Sequence, residues 1–156
     1  MKFGFIGAGK VGFSLGKYFA ERGLNLSGYF SEFEEDAIKA AEFTGSHSFH
    51  TMKSLVEDSD VLFLTVPDGQ IENTWNQLKE IFRAEMSETS FKSHFRNKIV
   101  CHCSGALSSE IFSEIATFGC YGYSIHPLFA VSDPYHSYKE LSKSYFTIEG
   151  TSEKIS

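Results

Sequence analysis

The chain has 156 residues, of which 42% are hydrophobic and 22% charged, and 14 Lys+Arg against 20 Asp+Glu give it a formal charge of −6. A chain of this size can bury one core without disulfides or structural metal, and an acidic balance with no long Lys/Arg run argues against nucleic acid or an anionic membrane surface as partner. No run approaches the roughly 18 apolar residues of a membrane span, and Phe3 to Ile6 is too short for the apolar region of a secretory signal. Three cysteines, Cys101, Cys103 and Cys120, fit no secreted scaffold, so reduced thiols in a cytoplasmic setting are expected.

Short apolar runs alternate with helical stretches, and glycines punctuate the helix ends. Lys2 to Ile6 reads as a strand, and Lys10 to Arg22 as a helix with apolar Val11, Leu15, Tyr18 and Phe19, ended by Gly23. Leu24 to Phe30 reads as a second strand and Glu34 to Phe43 as a second helix, with Gly45 as its C-terminal cap. A short strand near Ser48 to His50 and a brief helix over Ser54 to Ser59 follow. Val61 to Val66 (VLFLTV) is a strand apolar enough for burial on both sheet faces.

Gln70 to Phe82 is predicted helical, with Asp68 placed to cap it, and Arg83 to Asn97 reads as a polar excursion. Lys98 to Cys103 is a fifth strand, Ser108 to Phe118 a helix ended by Gly119, Tyr121 to Ile125 a sixth strand and Tyr145 to Glu149 a seventh. This alternation implies crossover units: an α/β, doubly wound, mainly parallel sheet with helices on both faces.

Gly7-Ala8-Gly9-Lys10-Val11-Gly12 is a complete GxGxxG placed directly after the first strand and opening the first helix, the context the motif requires. Gly7 permits the tight turn, Gly9 lets backbone approach a pyrophosphate, and Gly12 lets the helix pack close to its strand. The helix N-terminus adds free N–H groups and partial positive charge. The fold class is therefore Rossmann-like, with NAD or NADP as the expected cofactor.

An acidic residue is expected about 20 residues on, where it would accept the adenosine ribose hydroxyls. Ser31 and Glu32 occupy that place. Glu32 reads either as the ribose acceptor, which repels a 2′-phosphate, or as part of the solvated acidic turn Glu32, Glu34, Glu35 and Asp36. Ser31 tolerates a phosphate, and with Lys10 it is the candidate phosphate contact if the cofactor is NADP.

Val66-Pro67-Asp68 follows the fourth strand at its carboxyl end, where open α/β sheets bind ligands. His102, Ser104 and Gly105 end the fifth strand and His126 the sixth, all toward the same rim. Hydride transfer at a carbon bearing oxygen or nitrogen needs a proton donor or acceptor, and imidazole suits that role. His126, read as lying in a loop before Pro127, is the better candidate; its alternative role is to tie down a turn. His102, inside a strand, reads as a packed, hydrogen-bonded histidine. Ser104 with the Gly105 amide is placed either to bind a carboxylate or carbonyl oxygen or to enter a helix.

Cys101-His102-Cys103 does not read as a metal set, because strand alternation points the two thiols away from the imidazole. The cysteines read as small buried hydrophobes. No GxSxG elbow is present for a hydrolase.

The segments KFGFIGAGKVG, TVPDGQI (65–71), HCSGAL (102–107) and SIHPL (124–128) together resemble a family of bacterial Rossmann-like proteins labelled NADP-dependent oxidoreductases. In that family the nucleotide domain is followed by a helical domain. More distantly the chain is similar to pyrroline-5-carboxylate reductase, prephenate dehydrogenase and 6-phosphogluconate dehydrogenase. The resemblance covers residues 1–150 and implies a dinucleotide domain there, with 151–156 starting a linker or helix toward a helical domain. It further implies that Val66 and Pro67 pack near the ribose or nicotinamide, and that the assembled protein is a homodimer acting on a small oxo, hydroxy or imino compound. The resemblance implies NADP ahead of NAD as cofactor, although where such proteins often carry a basic residue after the second strand this chain has Glu32. A second reading is a dinucleotide-binding sensor or interaction module without turnover.

Overall fold

Seven strands and four helices alternate along the chain in a computed structural model that describes residues 1–87, 95–128, 132–133 and 135–151. The strands are β1 (Lys2–Ile6), β2 (Asn25–Phe30), β3 (His47–Ser48), β4 (Val61–Leu64), β5 (Ile99–His102), β6 (Tyr121–Pro127) and β7 (Phe146–Gly150). They form one sheet in the order β3-β2-β1-β4-β5-β6-β7. All pairings are parallel except β6 with β7. The order reverses direction between β1 and β4, where a doubly wound sheet opens a crevice at its carboxyl edge.

Side-chain alternation along the central strands builds two apolar layers. Ile6, Leu62, Leu64 and Val100 face α3 (Met52–Asp58) and α4 (Ile71–Ser87), where they meet Trp75, Leu78 and Phe82. Phe5, Phe63, Ile99 and Cys101 face the opposite way, with α1 (Lys10–Glu21) and α2 (Glu34–Thr44). All four residues of β4 are buried, as its unbroken apolarity predicts.

Local chemistry sets the boundaries. Gly45 caps α2 in the left-handed region at φ 69°, the role expected of it. Helix α3 begins at Met52, earlier than predicted, because the Thr51 hydroxyl accepts the Ser54 amide proton at 3.1 Å and caps it. Asp68 does not cap α4; it opens a 3-10 turn that has no side-chain cap.

Helix α4 runs on to Ser87, into the stretch predicted to be a polar excursion. Arg83, Ala84, Glu85 and Met86 are strong helix formers, and Glu85 is buried in an ion pair with Lys53 at 2.8 Å. The remainder of that predicted excursion, over 88–94, lies outside the described residues, as do 152–156 of the predicted linker.

The helix predicted over Ser108 to Phe118 is replaced by two 3-10 turns, Ser109–Ile111 and Ile115–Phe118. At the break the Trp75 indole donates to the Ser113 carbonyl at 3.1 Å. Glu114 turns to φ 65°, and its carboxylate meets Lys79 at 3.3 Å and Arg83 at 2.9 Å on α4. Phe112 fills the space beside Gly122, where a Cβ would lie 2.7 Å from its ring.

Candidate functional site

The glycine loop turns from β1 into α1 against the end of β4. Gly7 adopts φ +100°, and a Cβ there would lie 2.8 Å from the Thr65 backbone. A Cβ on Gly12 would run into the Thr65 hydroxyl and the Gly7 carbonyl. Both glycines are therefore required by the fold itself.

Gly9 differs from both. Its backbone is extended, at φ −74° and ψ −176°, and a Cβ there would meet only the Thr65 carbonyl, at an ordinary 3.6 Å. Nothing inside the protein requires a glycine at this position. Gly9 caps α1, whose first turn has no acidic residue, so the amides that a helix leaves unpaired there have no carboxylate within their own turn.

Gly9 also lines a cleft of about 480 Å³ at the carboxyl edge of the sheet. The walls are Gly7, Ala8 and Gly9 from the loop, Ser31, Glu32 and Phe33 beyond β2, and Thr65, Val66 and Pro67 beyond β4. Seven of the sequence candidates thus come together. Lys10, Val11 and Gly12 do not line the cleft; Gly12 instead seats the helix on Thr65. The Ser31 hydroxyl accepts the Phe33 amide proton at 3.2 Å, which fixes the turn that presents Glu32.

Four residues of the cleft escape the motif reading: Gln70, Asn73, Thr74 and Gln77. They form a polar stripe at helical spacing beside the buried Ile71, Trp75 and Leu78, with Thr74 itself buried. Their only sequence signal is amphipathicity, which a solvated face gives equally. Asp36 and the 69% exposed Phe33 are further lining residues with no motif behind them.

The second cluster of candidates does not reach this cleft. His126 lies within β6, paired with Thr147 of β7, and not in the loop predicted before Pro127. Pairing with the antiparallel edge strand carries β6 past the predicted end at Ile125. The His126 Nδ1–H donates to the Cys103 carbonyl at 3.0 Å, which leaves Nε2 as the unprotonated nitrogen of the neutral ring, directed at Gly105. A Cβ on Gly105 would lie 2.7 Å from that nitrogen.

Ser104 is buried, and its hydroxyl accepts the Ala106 amide proton at 3.1 Å, closing a turn and not entering a helix. His102 is fully buried, as its place in a strand predicts. Its Nδ1 accepts the Ser104 amide proton at 3.2 Å and its Nε2–H donates to the Ser108 carbonyl at 3.0 Å, so both ring nitrogens are engaged. At the far end of the same loop, Glu149 of β7 accepts from the Ser109 hydroxyl at 2.5 Å and from its amide at 2.7 Å, and these bonds pull its carboxyl below the usual range. The 102–109 loop is thus tied to β6 and β7 at both ends.

Cys101 and Cys103 join the apolar layer opposite His102, as strand alternation predicts. Burial raises both thiols, Cys103 to about 12 and Cys101 well above its ordinary value, so neither is a ready nucleophile. Among the described residues no group of three or more His, Cys, Asp or Glu is placed to hold a metal ion, and no helix is long and apolar enough to cross a membrane.

Comparison with known proteins places this geometry in context. Residues 2–86 match the model of the family described as NADP oxidoreductase, coenzyme F420-dependent. A Bacillus subtilis (strain 168) protein, “Putative 6-phosphogluconate dehydrogenase YqeC”, is 28% identical over 101 residues, covering 64% of this chain and 34% of its own length. The Bacteroides fragilis protein described as “putative NADP oxidoreductase BF3122” superposes with a TM-score of 0.73 at 14% identity, over 98% of this chain and 52% of that one. An imine reductase from Myxococcus stipitatus, in complex with NADP+, gives a TM-score of 0.59 at 19% identity, over 83% of this chain and 42% of that one. The chain spans about half the length of these structures and a third of the Bacillus protein, and at such identities the structures speak for the fold alone. The family match extends over more than half of the chain, through the glycine loop, the turn after β2 and the loop after β4. The chain belongs to the NADP oxidoreductase, coenzyme F420-dependent family.

Proposed function

We propose that the chain binds a nicotinamide dinucleotide along the cleft at the carboxyl edge of its sheet and serves as the cofactor domain of an oxidoreductase acting on a small oxo, hydroxy or imino compound. One observation carries the binding reading: Gly9 is a glycine that its described surroundings do not require, in the stretch of the loop that lines the cleft. The close approach of a pyrophosphate supplies the missing reason. The fit is favourable on the chain's own chemistry, since the first turn of α1 presents amides without a neighbouring carboxylate. When bound, the dinucleotide supplies or takes up the hydride.

The remaining roles belong to the protein. Gly7, Ala8, Gly9 and the first turn of α1, from Lys10 to Gly12, hold the pyrophosphate. Ser31 and Glu32 border the adenosine ribose, and Val66 and Pro67 border the half of the cofactor nearer the reacting carbon. His126, through the Nε2 that the Cys103 carbonyl does not engage, is the proposed proton acceptor or donor, and Ser104 with the Gly105 amide its neighbour for a substrate oxygen. The relatives' greater length supports a further domain as the other wall of the substrate pocket; with that domain helical and the assembly a homodimer, turnover by residues 1–150 alone is expected to be slight while binding survives. The cytoplasmic setting and a small-molecule substrate, with neither nucleic acid nor membrane as partner, belong to the same reading.

The second reading, a dinucleotide-binding module without turnover, is favoured by one observation: His126 and Ser104 lie outside the cleft. A crystal soaked with NADP+ or NAD+ tests both. The enzyme reading expects the pyrophosphate over Gly9 and the nicotinamide within hydrogen-bond reach, directly or through one substrate atom, of His126. A nicotinamide ring directed away from the His126 rim supports the module instead, and density elsewhere on the molecule overturns both.

A further inference from the structure

We infer that the cleft selects NAD(H) over NADP(H), because its adenosine end presents two carboxylates and no cation to the place a 2′-phosphate would occupy. The inference rests on the reading of the cleft as a dinucleotide site and specifies which dinucleotide it takes, against the cofactor in the family's description.

Glu32 and Asp36 both line the cleft, on either side of the exposed Phe33 at the start of α2. Neither has an ion-pair partner among the described residues; the nearby Glu34 does, with His50 at 2.5 Å. No Lys, Arg or His lines the cleft among the described residues. Sites that accept NADP commonly place an arginine there, because a guanidinium pairs with the phosphate in bidentate fashion.

The end of α2 offers no substitute. Its N-terminus is the nearest helix dipole to this turn, but Glu34, Glu35 and Asp36 already occupy the first turn, and its capping residue Phe33 has no side-chain hydrogen bond to give. The Ser31 hydroxyl oxygen is engaged by the Phe33 amide, which leaves its proton and the uncapped first-turn amides of Glu34 and Glu35 as the neutral donors of the turn. A phosphate monoester carrying about 1.5 to 2 negative charges would then meet two carboxylates, with only neutral donors and no cation to offset them. A ribose diol, by contrast, donates hydrogen bonds, and carboxylates accept them. The discrimination works by repulsion as much as by attraction.

The test is a pair of titrations of the chain with NADH and with NADPH, followed by calorimetry and by energy transfer from Trp75. The expected result is NADH binding at least tenfold tighter than NADPH. Added salt narrows the ratio, because it screens the repulsion. Glu32→Arg moves the ratio toward NADPH by tenfold or more, and Asp36→Asn moves it by less in the same direction. The salt series and the milder Asp36→Asn keep the test decisive if Glu32→Arg fails to fold. Wild-type chain that binds NADPH as well as NADH or better overturns the selectivity and leaves the dinucleotide site standing, whereas binding of neither overturns both.

Discussion

The Thr65 hydroxyl donates a 2.7 Å hydrogen bond to the Gly7 carbonyl and fills the space a Cβ on Gly12 would take, so one side chain from the end of β4 holds both ends of the glycine loop. The loop's shape is therefore a tertiary property and not only a consequence of its glycines. Gly12→Ala is expected to overpack this contact and lower stability by about 1–3 kcal/mol, or about 2–4 °C in Tm per kcal/mol. Thr65→Val keeps the shape and removes the donor, at a cost of about 1–2 kcal/mol. Thermal unfolding checks both, and wild-type Tm for Gly12→Ala contradicts the packing described.

His126 offers a way to separate anchoring from chemistry. Asparagine can present an N–H to the Cys103 carbonyl that Nδ1 now serves, whereas alanine cannot. His126→Asn is expected to unfold close to wild type and His126→Ala to lose about 1 kcal/mol more. Neither should change dinucleotide affinity more than about twofold, since His126 does not line the cleft. In a preparation that turns over, both variants should lose the limb of the pH profile that belongs to proton transfer. Equal turnover in His126→Asn and wild type reduces His126 to an anchor.

Glu149 makes the fold sensitive to acid. Its carboxyl is held below the usual value by the Ser109 hydroxyl and amide, so its contribution is fully present above the unfolded value, about 4.3, and disappears as pH falls through the folded one. Glu149→Gln is expected to lower Tm at pH 7, with the difference from wild type shrinking as the solution is acidified. A difference that persists unchanged at low pH contradicts a charge-dependent bond.

The fold and the first half of the site were legible because their signals are local and redundant. GxGxxG sits between a strand and a helix, Gly45 ends α2 in the conformation that favours glycine, and VLFLTV is buried on both faces. What was not legible depends on distant partners. The break within Ser108 to Phe118 is tied to α4, where the Trp75 indole, 38 residues away, holds the Ser113 carbonyl and Lys79 and Arg83 hold Glu114, and no pattern within Ser108 to Phe118 reveals that. His126 is part of a strand because β7 returns antiparallel beside it. The cleft's polar stripe from Gln70 to Gln77 and the carboxylate of Asp36 could not be told from a solvated surface until β2 and α4 were placed beside the glycine loop.

Gly9 is the most direct test of the central claim, that this loop exists to bring backbone against a ligand. A methyl group there meets no protein atom closer than 3.6 Å, and alanine at a helix cap costs at most about 1 kcal/mol. The measurement is the affinity of Gly9→Ala for NADH, by calorimetry, alongside its Tm. The account predicts a Tm within a few degrees of wild type and a loss of at least tenfold in affinity. Undiminished affinity in a folded Gly9→Ala, or no dinucleotide binding by the wild-type chain at millimolar concentration, would contradict it.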